Sequence, residues 1–382
     1  MSWREETVFR DGDTYFETMV AVIKEAKKTI DLESYIFERD RLGQWILNEL
    51  EAASRRGVVV RLLIDGVGSA SWNYKDVERV ASRGIRIRVY HPLPWQVRPA
   101  RFLGASQGWQ AIRLRLAQLN RRNHRKTCQI DHRIVFAGGM NVSEAHMSRW
   151  SGDLAWKDIG LRVEGPGVQG LARAFLDAWK SSGRKRGKSL RPFLPTQASS
   201  TRHECLKLNY TIKLRRALNR ERIHRIQKSQ RRVWITTPYL VPDLKLLSAL
   251  RAASKRGMDV RVLTPGALLD VFFMRWINRA FYPALLEAGV RIFEYRPAFH
   301  HGKLTLVDQW VTVGSSNLNH RSLLHDLEAD FVLSQAQSIQ ELETRFLEDL
   351  KTSTEISTQR LLKSSRLQAL LGRLLLVFRR WI

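Results

Sequence analysis

The chain is short of three things. It has 2 cysteines in 382 residues, too few for a disulfide framework, and too few for a zinc cluster without His or carboxylate help. It lacks acid: 37 Asp+Glu stand against 64 Lys+Arg, a formal net charge of +27. It also lacks any uninterrupted apolar run of membrane-spanning length, so no transmembrane helix is expected. The charged start, from Ser2 to Asp13, has no apolar core of a secretory signal. What remains is substantial. Hydrophobic residues make up 44%, enough for a packed core and too many for a disordered basic tail. The length suits one large or two medium domains. The charge calls for an anionic partner: nucleic acid, a phospholipid surface or a phosphorylated substrate.

The chain says nearly the same thing twice. Residues 52–66 read AASRRGVVVRLLIDG and residues 252–266 read AASKRGMDVRVLTPG, with nine of the fifteen positions identical. Tyr35-Ile-Phe37 is answered by Tyr239-Leu-Val241, and the segment from Gly84 to Pro92 by that from Gly289 to Pro297. Within the first half, helical spacing over Thr14–Lys28 and Leu42–Arg56 alternates with strand patterns over Asp31–Phe37, Val58–Asp65 and Ile85–Tyr90. The pattern predicts α/β architecture: two similar lobes, each a mixed, mostly parallel sheet flanked by helices. The expected division is a first lobe over 1–182, a basic linker over 183–203, a second lobe over 204–352 and a tail over 353–382.

Two basic stretches carry apolar residues. The first half has an acid-free insertion over 94–123, read as an amphipathic element beside the active site. From Gln359 to Ile382 six basic residues and no acid are interleaved with leucines and a terminal Trp-Ile, which predicts a helix lying in a membrane interface. Arg215–Arg232 reads as a solvated basic helix face, and the Leu268–Pro283 stretch as either an acyl-chain wall or a core helix.

The chemistry lies in a repeated motif. His124-Arg-Lys126 is followed by Asp131 and by Gly138-Gly139-Met-Asn141. His301-Gly-Lys303 is followed by Asp308 and by Gly314-Ser315-Ser-Asn317. One H-x-K-x4-D match arises by chance at roughly 1 in 400 per histidine at average residue usage, and the chain has ten. Two matches at equivalent places in a repeat, each with the Gly/Asn sequel, are far rarer. A histidine and a lysine two apart on a strand share a face. Two such strands can surround one phosphate with two imidazoles and two ammonium groups. Asn141, Asn317 and Ser315 are candidate donors to its oxygens. Asp131 and Asp308 belong to the motif, but their odd spacing turns them from that face. Asp158 and Glu328, each read as opening a strand, are candidates to orient an imidazole. Cys128 reads as a buried, inert thiol, and no histidine pair has metal-ligand spacing.

At these residues the chain resembles the phospholipase D superfamily, whose signature is this duplicated motif. More narrowly, the Phe9-Arg-Asp-Gly-Asp13, Leu32-Glu-Ser-Tyr35 and Thr237-Pro-Tyr239 segments and the basic tail resemble bacterial cardiolipin synthases without N-terminal transmembrane helices. The resemblance implies two α/β/α lobes with the site at a pseudo-twofold interface, a phosphohistidine intermediate, no metal and no cofactor. It implies catalytic roles for His124, Lys126, Asp131, His301, Lys303 and Asp308. The expected reaction moves a phosphatidyl group from one phosphatidylglycerol to another, at the cytoplasmic face of the cell membrane. Alternatives are a phospholipase D, another phosphatidyltransferase, a nuclease of the same superfamily, or a non-catalytic membrane-binding scaffold. The apolar, basic tail and insertion weigh against nucleic acid as partner, because a nuclease has no need of them.

Overall fold

The structure is a computed structural model that describes residues 2–98, 120–182, 204–362, 371–372 and 374–378. The linker 183–203, most of the insertion (99–119) and much of the tail (363–370, 373 and 379–382) lie outside the described residues.

The repeated sequence folds into a repeated unit. Helix α2 (Arg41–Arg55) is capped by Asp40, whose side chain accepts the Gly43 N–H, and its counterpart in the second half, helix α3 (Leu244–Lys255), is capped by Asp243, which accepts the Leu246 N–H. Each ends at the glycine of the repeated S-x-R-G, Gly57 with φ +90° and Gly257 with φ +86°, where a side chain would be strained. The chain then enters strand β3 (Val59–Asp65) or strand β10 (Asp259–Pro265).

The first sheet runs β1-β7-β6-β5-β2-β3-β4 and the second β15-β11-β10-β9-β12-β13-β14-β8. Here β1 is Glu5–Phe9, β2 Thr29–Ser34, β4 Arg86–Tyr90, β5 Thr127–Ile130, β6 Ile134–Gly138 and β7 Gly160–Glu164. In the second sheet β8 is Leu206–Leu208, β9 Arg232–Thr236, β11 Arg291–Tyr295, β12 Leu304–Val307, β13 Trp310–Gly314, β14 Ala329–Leu333 and β15 Ser353–Ile356. Read from β4 and from β11, the two orders match strand for strand, and β15 is added at the second sheet's edge. Two α/β lobes are as expected, but parallel pairing is confined to β2-β3-β4 and β9-β10-β11; the motif strands pair antiparallel. The sheets are therefore mixed and less parallel than expected, because each motif forms a hairpin. Residues 353–356, assigned to the tail, belong to the second sheet.

Strand alternation divides the core. Ile134 and Phe136 point to the cluster under α1 (Gly12–Glu25) and α2, while Val135 and Ala137 join one shared with Leu304, Leu306, Val311 and Val313 of the second lobe. The lobes thus close over a common apolar core. Backbone bridges reinforce it where the site forms. Asn123 pairs with Leu327 and Lys157 with His300, both in parallel sense.

Two basic residues expected at the surface are buried. Arg122, read as part of the insertion, is fully enclosed and donates to Asp65 (3.0 Å) and to the Tyr90 and His91 carbonyls. Arg215 is buried and donates to the Asn209 and His325 carbonyls. Apart from Asn209, six residues before Arg215, these partners are distant in sequence, so spacing along the chain gave no sign of them. Removing one partner of such an enclosed ion pair costs about 3–5 kcal/mol.

Candidate active site

Two crossed connections build the site. The Asn123–Leu327 bridge places the next residue of each chain, His124 and Glu328, side by side; the Lys157–His300 bridge does the same for Asp158 and His301. Each histidine is consequently held by a carboxylate of the other lobe. His124 Nδ1 lies 3.1 Å from both Glu328 oxygens and from the Ser315 carbonyl. His301 Nδ1 lies 2.7 Å from Asp158 Oδ2. All these partners accept, so each Nδ1 carries the proton and each Nε2 keeps its lone pair.

The buried acid of the Leu32-Glu33-Ser34 stretch keeps the first motif in register. Glu33 accepts from Asn123 Nδ2 (2.9 Å) and Thr127 Oγ1 (3.0 Å) and lies 3.4 Å from Arg125. The odd-numbered residues thus turn to Glu33, leaving His124 and Lys126 on the opposite face. Tyr35 lines that face: its ring meets His124 edge to face at 4.8 Å, and Lys126 Nζ lies 5.2 Å from its centre. The thiol of Cys128, further along the strand, is buried in the first lobe's core, which pushes its pKa up.

Burial and crowded positive charge set the electrostatics. His124 is pushed well below its usual pKa by burial, then by Lys126 and Lys303. His301 is pushed down to about 3 by burial and by Lys303, against the pull of Asp158. Lys126 falls to about 7 through burial and Lys303, and Lys303 to about 8 through burial. The carboxylates differ. Burial would raise Asp158, but the His301 imidazole and its hydrogen bond, with Lys303, hold it below its usual range; burial wins at Glu328, which is raised. A site of this kind favours an anion, whose charge would restore the imidazole and ammonium protons.

The remaining residues divide. Ser315 Oγ donates to Glu328 Oε2 (2.5 Å), so it supports the carboxylate and is not a free phosphate donor. Asn141 Oδ1 accepts the Ile36 N–H at 3.2 Å, while the buried Asn317 Oδ1 has no partner among the described residues. Asp131 and Asp308 are corrected. Each has positive φ in the turn after its strand, where its carboxylate accepts three backbone N–H groups: Lys27, Lys28 and Thr29 for Asp131; Gln230, Arg231 and Arg232 for Asp308. They stitch the hairpin turns to the neighbouring strands and do not reach the histidines. The first motif has one more residue between its Asp and its Gly than the second, and it is accommodated in this turn, where both Asp131 and His132 have positive φ.

Reading the sequence missed one matched pair. His146 Nε2 accepts the Asn141 N–H and Ser322 Oγ accepts the Asn317 N–H, both at 3.2 Å and both five residues past the asparagine. Ser322 Oγ also donates to Glu328 Oε1 (2.7 Å), and His146 Nδ1 faces Asp158 Oδ2 at 3.9 Å. The signal was the shared five-residue spacing, hidden because the residue types differ. His146, Asp158 and His301 bring three ligand-type atoms within 4.8 Å of one another. Asp158 Oδ2 already accepts the His301 Nδ1 proton, so a metal held by these two atoms would have to displace that bond.

Comparison with known proteins follows the same repeat. The family model for the cardiolipin synthase, phospholipase D-like domain matches residues 19–158 and again 222–350. The chain is 28% identical to the probable cardiolipin synthase YwiE of Bacillus subtilis over 92% of its own length and 67% of that protein's. It is 31% identical to cardiolipin synthase 2 of Bacillus cereus, covering 93% of this chain and 66% of that one. The chain thus spans about two thirds of the length of these relatives. Among solved structures, the phosphatidylserine synthase of Haemophilus influenzae superposes with TM-score 0.64 at 14% identity, over 98% of this chain and 93% of that one. The polyphosphate kinase of Porphyromonas gingivalis superposes with TM-score 0.61 at 15% identity, over 100% and 54%. These two likenesses establish the fold.

Proposed function

Because the chain belongs to the cardiolipin synthase, phospholipase D-like domain family, we propose that it is a phosphatidyltransferase that makes cardiolipin from two molecules of phosphatidylglycerol. The observation that carries the reading is the crossed pair of carboxylate-held histidines with two buried lysines between the lobes. Such a site suits a phosphodiester and a covalent phosphohistidine.

His124 Nε2 attacks the phosphorus of one phosphatidylglycerol, and the phosphorus–oxygen bond to glycerol breaks. His301, protonated once the anionic phosphate is bound, gives its proton to the departing glycerol oxygen. The hydroxyl of a second phosphatidylglycerol then loses its proton to His301 and attacks the phosphorus, and His124 leaves. Products are cardiolipin and glycerol, with the protons balanced. The assignment is supported by an asymmetry: both lysines donate to the carbonyl of their own motif histidine, but among the described residues only Lys303 Nζ also meets an imidazole, lying 2.9 Å from His301 Nε2. No hydrogen bond engages His124 Nε2 among the described residues, which leaves it available for attack. His301 Nε2 already has a proton source beside it. Lys126 and Lys303 neutralise the phosphate, and Asn141 and Asn317 are the proposed donors to its oxygens.

No described helix is long and apolar enough to cross a membrane. Peripheral attachment to the cytoplasmic face of the cell membrane is the matching proposal, and the substrates are lipids of that membrane. Incubation with vesicles of phosphatidylglycerol labelled in the headgroup glycerol should release glycerol and cardiolipin in equal amounts. Phosphatidic acid as the sole lipid product, or nicked plasmid in a parallel incubation, would contradict the reading.

A further inference from the structure

A second basic cluster lies away from the histidines. A cavity of about 400 Å³ opens beside strands β11 and β15 of the second lobe. Its lining holds four arginines, Arg275, Arg279, Arg296 and Arg360, and a single carboxylate, Glu294. Glu294 is taken: Arg279 grips both its oxygens at 2.8 Å, and Arg275 stands 3.7 Å away. Arg275 Nε is buried with no hydrogen-bond partner among the described residues. The Arg360 side chain makes one bond, to the Glu355 carbonyl (3.3 Å), which leaves its charge without an acidic partner among the described residues. The tail continuing from it has no acidic side chain from Gln359 to Ile382. Three positive charges therefore face this cavity without a matching anion. Guanidinium groups at this density fit the oxygens of a phosphodiester.

The cavity's rim is apolar, which distinguishes a lipid from a soluble phosphate. Ala267 lines the cavity, and the same loop continues through Leu268 (42% exposed) to Phe272 (71% exposed). The Phe272 ring meets Trp276, the neighbour of Arg275, at 5.7 Å. The tail returns here. Gly372 is so close to the Trp276 carbonyl that an added Cβ would lie 2.3 Å from it, and Leu375 and Leu376 pack against Met274 and Ile277. Leu374 and Val377 are left 57% and 78% exposed. Apolar side chains exposed beside a basic cavity match a phospholipid lying in a bilayer, with its phosphate inward and its chains alongside.

We propose that this cavity is a second, non-reacting site for the phosphodiester headgroup of an anionic phospholipid that stays in the bilayer. Occupied, it anchors the second lobe and fixes how the enzyme sits on the membrane. This rests on the reading that the enzyme works on membrane phospholipids, but no lining residue belongs to the catalytic set.

The test uses the full chain and the double variant Arg296→Ala/Arg360→Ala, whose two side chains are both at the surface. Sedimentation with vesicles of phosphatidylglycerol and phosphatidylcholine is measured for both proteins. The variant should need on the order of 10-fold more anionic lipid for half-binding. Phe272→Ser, which leaves the arginines in place, should also weaken sedimentation. The melting temperature of the double variant and its cardiolipin synthesis from monomeric short-chain phosphatidylglycerol should both match the parent. Equal sedimentation of variant and parent overturns the proposal. So does an arginine-dependent rise in melting temperature with millimolar glycerol 3-phosphate when vesicle binding is unchanged, because that result identifies a soluble-anion site. If the parent makes no cardiolipin from the short-chain lipid yet keeps arginine-dependent vesicle binding, the proposed reaction fails and this site stands.

Discussion

The two lobes contribute the same parts to the site and use them unequally. In the second lobe, Ser315 and Ser322 donate to Glu328, which faces His124. In the first lobe the corresponding places hold Gly139 and His146, and Asp158 faces His301. The exchange is steric. Asp158 is one carbon shorter than Glu328, and a Cβ on Gly139 would come within 2.2 Å of its Oδ1. Asp158 and Gly139 therefore go together, as Glu328 and Ser315 do. The two carboxyls also shift in opposite directions, Asp158 down and Glu328 up. Two copies of one unit thus differ at the carboxylate and its support, and the proposed division into an attacking and a proton-transferring imidazole rests on such differences.

The strongest way to break this comparison is to remove each histidine. His124→Ala and His301→Ala should each lower cardiolipin synthesis by roughly 10³-fold or more. They should differ with an activated phosphodiester whose leaving group needs no proton. His301→Ala should still release that group, and His124→Ala should not, as a burst assay would read. Equal loss in both would mean that the roles are not divided.

Next come the carboxylates. Glu328→Gln and Asp158→Asn should each cost about 10²–10⁴-fold in kcat, by releasing the imidazole tautomer. Glu328→Gln should slow the formation of the covalent intermediate, and Asp158→Asn should suppress its protonated steps; rapid-quench kinetics separates the two. Gly139→Ser should be damaging alone. Combined with Asp158→Glu it should recover part of the lost turnover, since the pair copies the second lobe. No recovery would show that more than these two positions was differentiated.

A smaller effect concerns pH. The dependence of kcat/KM reports the free enzyme. Lys126 loses its proton as pH rises through about 7, and Lys303 through about 8. Phosphate binding should therefore weaken on the alkaline side, by up to tenfold per pH unit for one lysine. Lys126→Arg, which stays charged, should move that limb up toward the value set by Lys303.

The smallest effect on turnover separates the aspartates from their motif. Asp131→Ala and Asp308→Ala each remove an acceptor of three backbone N–H groups. Each should destabilise the fold by about 1–3 kcal/mol, read by denaturant melts, while the folded enzyme keeps turnover within about threefold.

Much of this was legible from local pattern. The repeat gave two lobes, and the two-residue period put His124 with Lys126 and His301 with Lys303 on shared faces. Which carboxylate meets which histidine was not legible. Those contacts span 204 and 143 residues and follow from how the lobes dock. Arg122 and Arg215 were misjudged for a related reason: in sequence a basic residue reads as solvated until its distant partner is known. The strand Ser353–Ile356 is four residues long and polar except for Ile356, too weak a pattern to stand out from the tail. Asp131 and Asp308 show that a motif can combine chemistry and architecture, and their odd spacing from the histidine already separated the two.

The central claim is that two equivalent histidines have unequal roles. Quenching the enzyme during turnover of phosphate-labelled phosphatidylglycerol, followed by peptide mapping under conditions that preserve phosphohistidine, tests it directly. Label on the peptide containing His124 is the predicted result. Label on the peptide containing His301, or on both equally, would contradict it.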